Sequence, residues 1–94
     1  MVKLVGILVG SIDLQVDNIK EDILYILYNN KLPLKEYPDN VIYMDSIDDV
    51  ESILRANNSL ISEEKVLISK HKDINEGIII DIRRRIERIK NNLV

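Results

Sequence analysis

Apolar residues fill the chain from Val2 to Val9, interrupted only by Lys3 and Gly6. Both faces of that segment are apolar, the pattern of a central strand covered on two sides. Gly10-Ser11 reads as a two-residue turn. After it, Ile12, Leu14 and Val16 alternate with Asp13 and Gln15. Such alternation predicts a half-exposed second strand and therefore a β-hairpin. A helix would not bring positions 12, 14 and 16 to one side.

Asn18 and Glu21 have the spacing of a capping box, with Asp17 and Asp22 adding negative charge to the same turn. This predicts a helix running to Asn29 or Asn30, with Ile19, Ile23, Ile26 and Leu27 inward and Tyr25 and Tyr28 on the far side. Lys31 to Asn40 holds both prolines and is expected to be a loop. Val41 to Met44 reads as a short strand. Ser46 with Asp49 opens a helix through Asn57, with Ile47, Val50, Ile53 and Leu54 facing inward. Lys65 to Ser69 is most simply a strand, although Ser62, Glu63 and Glu64 would also suit the start of a short helix. Asp73 with Glu76 is expected to cap the last helix.

The predicted order is strand, strand, helix, strand, helix, strand, helix (ββαβαβα). It describes one compact domain over residues 1–94, α+β in class and α/β-like. Three helices would pack on a mixed four-stranded sheet, with right-handed crossovers between its later strands.

The closing helix has the strongest periodicity. At 100° per residue, Ile74, Ile78, Ile82, Ile86, Ile89 and Leu93 form one stripe, with Ile79 at its border. Ile80 falls almost opposite. A large aliphatic residue on the outer face fits either scattered exposure or a contact with a second copy of the chain. The same helix carries Arg83, Arg84, Arg85 and Arg88, which spread around it. Asp81 and Glu87 lie at helical spacing from several of them. Arg84 and Arg88, joined by Arg85 at the stripe's edge, are the remaining positive ridge. The turn Lys70-His71-Lys72 could extend it.

At 94 residues a chain buries roughly 60–65% of the surface that its unfolded form exposes. Net charge is −3, which gives no general attraction for nucleic acid. The charge is uneven: residues 1–60 carry net −5 and residues 61–94 net +2. There is no cysteine, which excludes disulfide scaffolds, thiol catalysis and cysteine-ligated metal. The apolar start is too short to span a bilayer and has no small-residue cleavage site, so a cytoplasmic setting without membrane contact is expected.

Catalytic chemistry finds little support. His71 is the single histidine. A dyad with Ser69, Ser62 or Ser11 would lack a nucleophile elbow and an oxyanion loop. Gly6 and Gly10 do not make a dinucleotide fingerprint. In a parallel sheet, Asp17, Asn18, Asp45, Ser46, Ser69, Lys70 and His71 would gather at the carboxyl edge, where α/β proteins bind ligands. Acids at the helix starts would repel phosphate there. Asp45, Asp48 and Asp49 could hold a divalent cation, but the spacing falls short of six oxygen ligands.

The expected function is therefore a non-enzymatic protein without a cofactor, binding an unknown protein partner and forming a homodimer through Ile79, Ile80, Tyr25 and Tyr28. The alternative is a nucleic-acid-binding accessory factor using Arg84, Arg85, Arg88, Lys70, His71 and Lys72. A metal-binding or enzymatic domain at the acidic edge comes third.

Overall fold

A computed structural model of the chain describes residues 1–10, 16–29 and 36–92. Four strands form one sheet, β1 (Leu4–Val9), β2 (Ile23–Tyr28), β3 (Val41–Met44) and β4 (Val66–Lys70). The helices are α1 (Ile47–Ala56), α2 (Asn58–Ser62) and α3 (Glu76–Asn91). A sheet of four strands with three helices is what the patterning leads one to expect. Strand order is β3-β2-β1-β4, and every neighbouring pair is parallel.

Two expectations are corrected. Residues 23–28 are a strand and not the middle of a helix. The run Ile-Leu-Tyr-Ile-Leu-Tyr is apolar at every position, so it satisfies a helical period and a strand period alike. Its β-branched and aromatic side chains and its near-complete burial decide for the strand. Asn18 and its neighbours form a short 3-10 turn at Val16–Asn18 in place of a helix cap. Asn40 closes the strand's entry by donating from Nδ2 to the carbonyls of Lys20 at 2.7 Å and Ile23 at 2.9 Å. Asn29, at φ 54°, ends it.

The second correction concerns sheet type. No antiparallel pair occurs among the described residues, so the sheet is parallel and not mixed. Ser11 to Gln15, where the alternation predicts the other arm of a hairpin, lie outside the described residues. Gly10 does turn the chain, at φ +82°. A Cβ there would stand 2.6 Å from the Ile74 side chain, so glycine is required on two counts.

All three helices lie on one face. Val5, Ile7 and Val9 of β1 meet Leu24 and Ile26 of β2, Val50 and Leu54 of α1, Ile61 of α2, and Ile79, Ile82 and Ile89 of α3. On the opposite face Tyr25, Leu27 and Val41 form a smaller cluster with Leu8, Ile19, Ile23 and Tyr37. Ile19 and Tyr37, in the described parts of the β1–β2 and β2–β3 connections, lie against the second face. The return from β3 to β4 crosses the first face through α1 and α2. A constant crossover hand requires this reversal of face when the direction across the sheet reverses.

Capping differs in detail from expectation. Ser46 stands at the N-cap of α1 without a side-chain bond. Asn75, not Asp73, caps α3, its Oδ1 accepting from the Gly77 amide at 2.7 Å. The Asp73 amide instead donates to His71 Nδ1 at 3.2 Å.

Candidate functional site

Among the described residues β4 is an edge of the sheet, paired on one side with β1 alone. The Lys65 carbonyl accepts from the Val5 amide, and the His71 amide donates to the Val9 carbonyl, each at 3.0 Å. Odd-numbered residues of β4 therefore bond inward, and a two-residue period turns the amides and carbonyls of Val66, Ile68 and Lys70 outward. Side chains alternate as well. Val66 and Ile68 face the helices and are half-buried, while Leu67 faces the other side and is 59% exposed.

Between this strand and α3 runs a groove of about 410 Å³, lined by Ile61, Glu64, Val66, Ile68, Arg83, Ile86, Glu87 and Lys90. A shallower depression on the outer side of α3 is lined by Ile80, Arg83, Arg84, Glu87, Arg88 and Asn91. The two share Arg83 and Glu87, so they form one continuous surface. Ile80 is 45% exposed, as its place opposite the stripe implies.

The other interface candidates are placed elsewhere. Ile79 is buried in the helix–sheet core, because the stripe of α3 is wide enough to include it. Tyr25 is buried on the second face of β2. Its hydroxyl accepts from the Lys20 amide at 3.1 Å and donates to the Asn18 carbonyl at 3.4 Å. Tyr28 packs half-buried against the main core. These three hold the fold of one chain. The burial of Ile79 and Tyr25 follows from the width of the α3 stripe and from β2 being a strand.

The basic ridge divides. Arg85 is drawn into an acidic cluster, with Nη1 2.8 Å from Asp48 and 3.4 Å from Glu51, and Nε 3.1 Å from Asp81. Hydrogen bonds to Asp48 and then Asp81 raise its pKa above the ordinary guanidinium value. Lys70 pairs with Glu76, whose carboxyl is held below its usual range chiefly by that hydrogen bond. His71 Nδ1 lies 3.5 Å from Asp73. Glu87 turns to Lys90 at 3.5 Å and not to Arg83, and Lys90 also reaches Glu64 at 3.0 Å. Its bond to Glu64 is the main cause that raises the Lys90 pKa. Arg83, Arg84 and Arg88 are exposed and have no ion-pair partner among the described residues. Lys72 is exposed in the turn between β4 and α3.

The acidic carboxyl edge also divides. Asp48 is engaged by Arg85, and Asn18 is tied to Tyr25 at the start of β2, away from Asp45 and Ser46. Among the described residues no three His, Asp or Glu side chains converge as a metal site, and no helix is long and apolar enough to cross a membrane. Leu67 was not singled out by its sequence context. Its significance comes from edge position, which depends on pairing partners distant in the chain.

Compared with known proteins, the chain matches no family model, no curated protein and no solved structure.

Proposed function

We propose that this chain is a non-enzymatic, cytoplasmic protein-binding domain that associates with a second copy of itself. The observation that carries the reading is the uncovered apolar surface around the open β4 edge. Among the described residues Leu67 and Ile80 are the large aliphatic side chains most exposed after Met1, and the half-buried Val66, Ile68 and Ile86 line the groove beside β4. Burying a leucine or isoleucine side chain is worth about 1.5–3 kcal/mol. A self-complementary surface with several such side chains is a reasonable basis for an isologous dimer. Sedimentation equilibrium tests the reading. A dimer at micromolar concentration, weakened by Ile80→Asp without loss of the thermal transition, is the expected result. A monomer at several hundred micromolar would remove it.

A second reading has its own support. Arg83, Arg84 and Arg88 are exposed on α3 and form no ion pair among the described residues, although Arg83 acts on Glu76 at longer range, and this favours a nucleic-acid accessory factor more than the sequence pairing does. Arg85, being engaged by three carboxylates, does not belong to that surface.

A further inference from the structure

We infer that two copies join edge to edge through β4, antiparallel about a two-fold axis at Ile68, making one continuous eight-stranded sheet. This rests on the self-association proposed above and specifies its geometry.

Three observations lead to it. First, the outward backbone groups of β4 belong to Val66, Ile68 and Lys70. An axis at Ile68 sets Ile68 against its own mate and Val66 against the mate's Lys70. All three residues then sit in hydrogen-bonded pairs, about six backbone bonds across the junction. Moving the axis to Leu67 or Ser69 leaves one outward residue of β4 without a strand partner.

Second, the β4 edge carries both signs of charge, so it opposes pairing less than the other edge does. Glu63, Glu64 and Lys65 precede β4, and Lys70, His71, Lys72 and Asp73 close and follow it. Antiparallel pairing at Ile68 brings Glu64 opposite the mate's Lys72, while Glu63 faces the mate's Asp73. The other open edge, β3, has Asp39 before it and Asp45, Asp48 and Asp49 after it. Two copies of β3 would bring acid against acid, which opposes pairing.

Third, the exposed apolar side chains of β4 are covered by the same step. On the helix face, Ile68 and Val66 of each copy meet beside the groove under α3. On the other face, Leu67 lies opposite the mate's Ser69 and diagonal to the mate's Leu67, within side-chain reach.

The test uses thiols, since the chain has no native cysteine. Leu67→Cys and Ser69→Cys are both at exposed positions of a strand that keeps its inner packing. The pair 67–69 is of the close, non-hydrogen-bonded kind, which suits a disulfide. On mild oxidation, a mixture of the two variants is expected to give chiefly the mixed disulfide, identified by mass, over either symmetric one. Leu67→Lys is expected to weaken dimerisation by about tenfold or more while leaving the monomer's melting unchanged. A wild-type dimer that shows no preference for the mixed disulfide and is indifferent to Leu67→Lys would overturn the edge-pairing geometry alone. A wild-type monomer would overturn the self-association reading as well.

Discussion

Arg85 of α3 reaches Asp48 of α1 across 2.8 Å, joining two helices whose residues lie 37 positions apart. Glu51 and Asp81 complete the set around the same guanidinium. Exposed ion pairs contribute about 0.2–1 kcal/mol each, and a half-covered network lies at the upper end. Arg85→Ala is therefore expected to lower unfolding free energy by about 1–2 kcal/mol, since it also leaves three carboxylates near one another. Urea denaturation measures it. Arg84→Ala, with no partner to lose, should change stability by less than about 0.5 kcal/mol.

Gly10 carries two constraints at once. Alanine would have to adopt φ near +82° and would press its Cβ against Ile74. Gly10→Ala is expected to cost about 2–3 kcal/mol by thermal or urea unfolding. Shortening the neighbour in Gly10→Ala/Ile74→Ala should recover the steric part but not the backbone part. A double-mutant cycle separates them. Full recovery would show that φ matters little here.

The two aliphatic neighbours on α3 should behave oppositely. Ile82 is fully buried, so Ile82→Ala is expected to destabilise by about 2–5 kcal/mol. Ile80→Ala should leave monomer stability within about 0.5 kcal/mol and act, if anywhere, on association. Measuring unfolding and sedimentation on both variants separates a core role from a surface one.

Much of this architecture was legible because local pattern and global fold agree. The two-sided apolar run of β1, the short strand β3, the stripe of α1 and the stripe of α3 each answer to one periodicity. So does the outward position of Ile80. The exception is β2. Six consecutive apolar residues carry no period, and the polar residues before them imitate a helix start. The site was less legible, for a related reason. Leu67 and the outward backbone of Ile68 acquire meaning only when β4 is known to be an edge. That is a property of the strand order β3-β2-β1-β4, set by contacts between distant segments. The arginines show both sides. The Asp81–Arg85 pair follows from helical spacing, whereas Asp48 and Glu51 come from another helix.

Glu76 gives a pH signature. Its hydrogen bond to Lys70 depresses its folded pKa below the ordinary value of 4.5. A depressed carboxylate stabilises the fold above the unfolded pKa, and that contribution is lost as pH falls through the folded one. Glu76→Gln should therefore be less stable than the parent at pH 7, and the difference should shrink below about pH 4.5. Denaturation at pH 7 and pH 3 tests the sign. A deficit that grew on acidification would contradict the pairing.

The arginine surface on α3 separates the two functional readings. If it served nucleic acid, affinity would fall with salt, each neutralised phosphate adding about 0.9 to the slope of log K against log salt. Arg84 and Arg88 together would then account for a slope of at most about 2. Replacing both with alanine should remove that portion. Arg85→Ala should leave it in place, because that guanidinium is held by Asp48, Glu51 and Asp81. The self-association reading expects no binding to single- or double-stranded oligonucleotides at low salt. It expects Arg84→Ala/Arg88→Ala to leave the dimer intact, because the apolar side chains on which association relies stay in place. Fluorescence anisotropy in 20–200 mM salt, beside sedimentation of the same variant, decides between them. Salt-sensitive binding lost with the two arginines, in a chain that stays monomeric, would reverse the order of the two proposals.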